Sequence, residues 1–98
     1  MSATNNQNLT VIHHETARRG RFHIGVGAEL TYTRPAEAVM KVNHTLVDKE
    51  HRGKGLAQQL YQAMVQFARE NQRKVIPICP FVITMFEQNP QDADVLKD

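Results

Sequence analysis

The feature that most constrains the fold of this chain is a glycine-containing turn at residues 47–57, which read VDKEHRGKGLA. The segment before it, residues 38–47, is rich in β-branched and apolar residues, as strands are. After it, apolar residues recur at spacings of three and four from Leu56 to Ala68, which is the pattern of a surface helix. The turn therefore predicts a strand–loop–helix unit in which the helix begins directly at the glycines.

A loop of this kind is suited to binding an anion. The first backbone N–H groups of a helix lack intrahelical partners, and the helix start carries a partial positive charge. Gly53 and Gly55 leave room for a close ligand and tolerate positive φ values. A nucleoside-triphosphate loop is disfavoured, because Gly55 stands where Ser or Thr should follow Lys54, and Asp48 occupies its first glycine position. The dinucleotide pattern G-x-G-x-x-G is absent as well.

The loop matches, residue by residue, the R/Q-x-x-G-x-G/A signature of GNAT-type acyl-CoA N-acetyltransferases, with Arg52, Gly55 and Ala57 at its fixed positions. Residues 40–80 as a whole resemble the cofactor-binding half of a GNAT domain. Two further segments, residues 44–47 (HTLV) and 77–81 (PICPF), resemble small stand-alone members of that superfamily. The resemblance implies an N-acetyltransferase that uses acetyl-CoA as its acyl donor.

The remaining periodicity predicts three more strands before the helix, and one strand and one helix after it. Alternating apolar and polar residues give strands near residues 9–14, 21–26 and 28–33, with turns at 17–20, 25–27 and 35–37. A short apolar run at 75–79 predicts a buried parallel strand, and Pro80 suits the first turn of a second helix. The tail from Gln88 onward predicts a short helical segment.

This order, β-β-β-β-α-β-α, predicts an α/β fold with a mixed sheet and a right-handed β-α-β crossover. The resemblance further implies a V-shaped split in the sheet between the last two parallel strands. On this sequence those strands would end near Val47 and near Cys79, and Pro77 fits a strand that stops pairing before its end.

Length and composition indicate one domain in a reducing compartment. At 98 residues the chain holds a single core, which we assign to residues 9–98, after a flexible polar tail at residues 1–8. One cysteine makes no internal disulfide, and no apolar run resembles a signal or spans a bilayer, so we expect a cytoplasmic protein. The net charge of +2 is too small to indicate nucleic-acid or membrane binding.

The resemblance implies which residues would hold acetyl-CoA. Backbone N–H groups along the loop would bind the pyrophosphate, with Arg52 or Lys54 adding charge, and backbone groups near Leu46 and Val47 would face the thioester. The implied cofactor-binding set is Leu46, Val47, Arg52, Gly53, Lys54, Gly55, Leu56 and Ala57. A helix start with exposed basic residues and no ligand is the alternative interpretation.

Two residues are candidates for the chemistry of acetyl transfer. An imidazole can accept a proton at neutral pH, so His44 is a candidate general base. The alternative is a strand histidine whose ring is hydrogen bonded to a neighbouring residue and has no chemical role. Many GNAT enzymes carry a tyrosine in the second helix as general acid, whereas here that helix offers Phe81 and Phe86. Cys79 lies where the implied V opens, and three roles stay open: acid toward the leaving thiolate, transient acyl acceptor, or buried packing residue.

No metal site is expected from the spacing of the histidines and the single cysteine. His13 and His14 are adjacent, and therefore lie on opposite faces of a strand. No Cys/His pair has the spacing of a zinc site.

The acceptor cannot be read from the sequence. Full-length GNAT relatives have two helices after the first strand that wall the acceptor site, and here a turn at residues 16–20 replaces them. The site is therefore open to a small amine or a protein amine, in a monomer or a homodimer. A non-catalytic CoA-binding module and a basic interaction domain without cofactor are the rival hypotheses.

Overall fold

The computed structural model describes residues 10–98, so the predicted tail at residues 1–8 lies outside the described residues. The chain follows the predicted order of five strands and two α-helices. The elements are β1 (Ile12–Glu15), β2 (Arg19–Ile24), β3 (Ala28–Ala36), β4 (Val39–Val47), α1 (Leu56–Glu70), β5 (Lys74–Pro77) and α2 (Pro80–Gln88), with 3₁₀ segments at Lys49–His51 and Pro90–Val95.

The strands form one mixed sheet in the order β1-β2-β3-β4-β5. The first four are antiparallel neighbours, and β5 pairs parallel to β4, which confirms the predicted sheet. The reversal predicted at residues 35–37 is wrong by two residues: β3 continues through Pro35, and the turn falls at residues 37 and 38. Pro35 is tolerated because the β3–β4 register shifts there, so the missing N–H group interrupts no regular ladder.

Both helices pack on one face of the sheet and share one hydrophobic core. The buried face of α1 consists of Leu56, Leu60, Tyr61, Met64, Val65 and Ala68, and that of α2 of Val82, Met85 and Phe86. The two helices meet where the rings of Tyr61 and Phe86 contact edge to face, 5.3 Å between centroids. In β5 only Val75 is fully buried, because this strand is an edge strand; the prediction of a wholly buried strand was therefore too broad.

The opposite face of the sheet, called here the outer face, is polar. Residues that alternate with the core positions of β1 to β4 point there, among them His14, Arg21, His23, Glu29 and His44. An open groove of about 860 Å³ is lined by residues of these four strands. Within residues 10–98, no helix combines the length and the apolar character needed to cross a bilayer.

A polar cluster, called here the Glu15 cluster, ties β1 to the C-terminal end of α1. It consists of Glu15, Tyr32, Arg34 and Arg73, whose side chains are all less than a fifth exposed. The Glu15 carboxylate accepts hydrogen bonds from the Tyr32 hydroxyl at 2.5 Å, from Arg34 at 3.2 Å and from both terminal nitrogens of Arg73. Burial alone would raise the pKa of Glu15, but the hydrogen bonds from Arg73 and Tyr32 outweigh it and lower that pKa.

Candidate functional site

A β-bulge in β4 lies close to the middle of the sheet. Thr31 pairs with His44 whereas Tyr32 pairs with Val42, so Asn43 is an extra residue in β4. The Asn43 side-chain oxygen accepts a hydrogen bond from the Thr31 hydroxyl at 2.9 Å. The bulge shifts the alternation of side chains in the second half of β4 by one residue.

This shift decides which residues of β4 face the helices. Without it, His44 and Leu46 would continue the buried face that Met40 begins; instead both are exposed on the outer face. Thr45 and Val47 turn toward the helices and are partly buried. Two of the predicted site residues, His44 and Leu46, therefore have side chains on the opposite side of the sheet from the core.

The V-shaped split that the family resemblance implies lies directly beyond the bulge. The parallel pairing of β4 with β5 ends at Val42 and Pro77. The carbonyl oxygen of Val42 then accepts hydrogen bonds from two successive N–H groups, of Ile78 at 2.9 Å and of Cys79 at 3.1 Å. Beyond this point β4 continues to Val47 paired only with β3, so a gap opens along its other edge.

The backbone of β4 presents polar groups to this gap. The N–H group of Asp48 donates to the β2–β3 turn at 2.7 Å. Because bonding alternates along an antiparallel strand, the N–H group of Leu46 points toward β3, and those of Thr45 and Val47 point into the gap. The sequence singled out the backbone N–H groups near Leu46 and Val47; that of Val47 points into the gap, and that of Leu46 does not.

The glycine loop closes one end of the gap. Gly53 and Gly55 have φ values of +83° and +75°, and Gly55 is the N-cap of α1. The first intrahelical bond of α1 is donated by Gln59 to Gly55 at 3.1 Å. Within residues 10–98, no carbonyl or side chain accepts from the N–H groups of residues 53–58. Among the described residues, the loop and the first turn of α1 thus hold six backbone donors without an acceptor, as an anion site requires.

The segment before the glycines is held in place by a compact set of contacts. Asp48 caps the 3₁₀ turn, and its carboxylate lies 2.5 Å from Nδ1 of His51. Gly27 packs against this pair so closely that a Cβ atom there would lie 2.5 Å from the Asp48 carboxylate. The hydrogen bond from His51 lowers the pKa of Asp48. The Arg52 guanidinium donates to the carbonyl oxygen of Val47 at 3.0 Å, which fixes it at the end of β4.

A cleft of about 380 Å³ joins the loop to the gap. It is smaller than the groove on the outer face, but five of the six residues with free backbone donors line it, so we regard it as the candidate site. Its lining combines loop residues, the start of α1 and one ring from α2: Val47, His51, Arg52, Gly53, Gly55, Leu56, Ala57, Gln58 and Phe81.

Cys79 lies at the apex of the V and caps the N-terminus of α2. It is 6% exposed, and its Sγ is hydrogen bonded to the hydroxyl of Thr45 at 3.5 Å. Burial favours the neutral thiol, but the Thr45 hydroxyl and the N–H groups of Val82 and Phe81 together lower the pKa of Cys79. Thr45, which sequence reasoning did not single out as a functional residue, is thus the neighbour of the thiol across the gap.

His44 lies near the same gap but on the outer face. Its side chain is half-exposed, and its Nε2 atom is 3.6 Å from a carboxylate oxygen of Glu29. The other oxygen of that carboxylate accepts from Arg21 at 2.9 Å. His44 and Cys79 therefore approach β4 from opposite faces of the sheet. The sequence alone did not reveal this separation, because the bulge at Asn43 is not visible as a pattern of residue types.

Comparisons with known proteins agree with this geometry. A family model described as GCN5-related N-acetyltransferase matches residues 21–95. The NMR solution structure of a GCN5-like protein from Staphylococcus aureus superimposes with a TM-score of 0.72 at 32% sequence identity, covering 92% of this chain and 89% of that one. No curated protein matches the chain in sequence. The family match spans most of the chain and includes the glycine loop, the gap and both helices, and the chain thus belongs to the GCN5-related N-acetyltransferase family.

Proposed function

We propose that this protein binds acetyl-CoA in the cleft at the glycine loop and transfers the acetyl group to an amine. The observation that carries the proposal is the junction of two features. A gap between β4 and β5 exposes backbone polar groups of β4, and it ends at six free N–H groups of the loop and α1. Membership of an acetyltransferase family supports the same ligand.

The loop fits the pyrophosphate of CoA. Anions gain several hydrogen bonds at once from free N–H groups at a helix start, and the helix dipole adds to the attraction. Arg52 and Lys54 are exposed beside these groups and add two positive charges. Among residues 10–98, a Cβ atom at Gly53 would meet nothing within 4 Å, and one at Gly55 would meet only Gln58 at 3.8 Å, so these residues leave the space above both glycines free for a ligand.

The gap fits an extended, partly apolar arm. The N–H group of Val47 and that of Thr45 point into it, while Leu56 and Phe81 supply apolar walls near the loop. Acetyl-CoA would supply a thioester, whose carbonyl carbon is the acyl donor. The backbone N–H groups that face the gap are suited to polarising a carbonyl oxygen there.

Acetyl transfer replaces a C–S bond by a C–N bond, moves one proton off the amine and returns one to the leaving thiolate. We assign acceptance of the amine proton to His44, because its half-exposed imidazole on the outer face is accessible to an incoming amine. We assign protonation of the leaving thiolate to Cys79, because its thiol lies at the apex of the V, where the thiolate would leave. A transient acyl acceptor remains a second role for Cys79, since a lowered pKa favours the nucleophilic thiolate.

The acceptor would enter from the outer face. That face carries the open groove over β1 to β4, and no helix of the described residues covers it. The open surface is compatible with a small amine and with an amine on a protein.

A second candidate function is a CoA-binding module without turnover. It is favoured by Phe81 and Phe86, which occupy the helix where many relatives would offer a proton-donating tyrosine. The two candidates share the cofactor and differ only in the chemistry.

The test begins with calorimetric titration of acetyl-CoA and desulfo-CoA, with ATP as a comparator for nonspecific phosphate binding. We expect saturable binding of both CoA compounds and a rise in melting temperature, since a ligand at 100 times its Kd adds about 2.7 kcal/mol to the free energy of unfolding. Release of free CoA in the presence of an amine panel then separates the enzyme from the module. If neither CoA compound binds, both candidate functions are overturned.

A further inference from the structure

The outer face of the sheet brings together two histidines that are nine residues apart in the sequence. His14 on β1 is directly opposite Arg21, which places it diagonally across from His23 on β2. The Nε2 atoms of the two imidazoles are 3.3 Å apart, and the rings are nearly parallel, 11° between planes and 5.3 Å between centroids. His14 is exposed and His23 partly exposed, so both nitrogens can be reached from solvent.

The spacing of the two rings is that of imidazoles bound to one metal ion. Metal–nitrogen bonds of about 2.0–2.1 Å in a tetrahedral arrangement hold two ligand nitrogens about 3.3–3.4 Å apart and their ring centroids about 5.2 Å apart. Both distances agree with those observed between His14 and His23. A hydrogen bond between the two imidazoles is the alternative interpretation of the same distance.

The hydrogen bond on the other side of the His23 ring fixes its tautomer. Nδ1 of His23 lies 2.9 Å from the carbonyl oxygen of Gly25. A carbonyl can only accept, so Nδ1 carries the proton, and in the neutral ring the lone pair is on Nε2. Metal-binding histidines are commonly oriented in this way, with the second nitrogen bonded to a backbone carbonyl. The Nε2 atom of His23, 3.3 Å from that of His14, therefore carries the lone pair that a metal needs.

The cation opposite His14 on β2 is paired with a carboxylate. Arg21, opposite His14, donates to the Glu29 carboxylate at 2.9 Å. Because the salt bridge compensates its charge, the Arg21 guanidinium repels a bound cation less than an unpaired guanidinium would.

We propose that His14 and His23 form a two-ligand site for a divalent transition-metal ion of the zinc, copper or nickel class. Imidazole nitrogen suits these ions, whereas magnesium and calcium prefer oxygen. Within residues 10–98 no group of three His, Cys, Asp or Glu side chains converges, so the remaining coordination positions are left to water or to an incoming ligand. The site is therefore open and exchangeable, unlike a structural zinc site with four protein ligands.

The test is a calorimetric titration of tag-free protein with Zn²⁺ at pH 7.5 in a non-chelating buffer. We expect one ion per chain, and loss of at least about tenfold in affinity in each of His14→Gln and His23→Gln. The matched control is His44→Gln, which removes another outer-face histidine and should leave Zn²⁺ affinity unchanged. Mg²⁺ should not compete.

Nitrogen chemical shifts of the imidazoles provide a second readout that does not depend on variants. Addition of Zn²⁺ should shift the Nε2 resonances of His14 and His23 together. Absence of saturable Zn²⁺ binding to the wild type, or wild-type Zn²⁺ affinity in both histidine variants, would overturn the proposal and leave the pair as a hydrogen bond between two imidazoles.

Discussion

The polar groups at the two ends of α1 differ in whether they have hydrogen-bond partners. At the C-terminal end, in the Glu15 cluster, one carboxylate is bonded to a tyrosine and two arginines, and all four side chains are largely buried. At the N-terminal end, Arg52 and Lys54 are exposed, and six backbone N–H groups have no acceptor within residues 10–98. The difference teaches that paired polar groups stabilise one end of the helix, whereas the other end leaves backbone donors available, as the proposed anion site needs. The predictions below perturb either the Glu15 cluster or the proposed binding site.

The largest effect is expected from Glu15→Ala. This change leaves two mostly buried guanidinium groups without their carboxylate, which should lower the free energy of unfolding by about 3 kcal/mol. For a domain of this size the melting temperature should fall by roughly 12 °C or more. The control is Glu70→Ala, which removes an exposed carboxylate of α1 that accepts a hydrogen bond from Gln66 at 2.7 Å. It should change the free energy of unfolding by no more than about 0.5 kcal/mol. Equal melting temperatures for the two variants would contradict the prediction.

At the apex of the V, Cys79→Ala should reduce catalysis and leave stability and acetyl-CoA binding nearly unchanged. If the thiol takes part in proton transfer, turnover should fall by about a hundredfold or more, equivalent to about 2.7 kcal/mol in the activation free energy. Acetyl-CoA affinity, measured by calorimetry, should stay within a factor of about three, because the loop donors are untouched. A variant with wild-type turnover would show that Cys79 is only a packing residue.

A third effect is expected from Gly20→Ala, which acts on the Glu15 cluster through packing. A Cβ atom at position 20 would lie 2.1 Å from the Tyr32 ring, so the ring would have to leave its position beside Glu15. We expect a loss of about 2 kcal/mol in the free energy of unfolding, measured by urea denaturation. The double variant Gly20→Ala/Glu15→Ala should lose less free energy of unfolding than the sum of the losses in the two single variants, since both changes disrupt the same cluster. Full additivity would argue against the shared cluster.

A matched pair of glycine substitutions tests the loop. Gly55 and Gly25 both have positive φ, +75° and +57°, and at either position a Cβ atom would meet no atom of the described residues closer than 3.8 Å. Alanine should therefore cost a similar amount of stability at both, about 1–2 kcal/mol. Only Gly55→Ala should weaken acetyl-CoA binding, by about tenfold, equivalent to about 1.4 kcal/mol. Equal affinities in the two variants would mean that the space above Gly55 is not the ligand site.

The smallest effect concerns pH and the Glu15 cluster. The pKa of Glu15 is lowered in the folded state, so its stabilising contribution is complete above its unfolded value of about 4.5 and is lost as pH falls through the folded pKa. The stability gap between wild type and Glu15→Gln should therefore narrow below about pH 4.5, with a slope of at most about 1.4 kcal/mol per pH unit for one proton. Thermal unfolding of both proteins at pH 7, 5, 4 and 3 measures this gap. A constant gap would mean that the carboxylate is not held charged by its partners.

The sequence by itself determined the element order, the mixed sheet and the loop that starts α1. Local chemistry was sufficient there: periodicity marks β4 and α1, and Pro80 marks the start of α2. The position of the V near Cys79 followed from the family resemblance carried by short motifs. Strand ends were less predictable, as at Pro35, because the register of two strands depends on pairing partners and not on residue type alone.

Only the tertiary structure decided which side chains share a face. The bulge at Asn43 inverts the second half of β4, so that His44 turns outward while Thr45 meets Cys79. Adjacent His13 and His14 did indicate opposite faces, but the approach of His14 to His23 arises from the β1–β2 register, which no sequence spacing encodes. Local preferences fix how each segment folds, whereas contacts between segments distant in sequence depend on register, and register is set by the packing of the whole sheet.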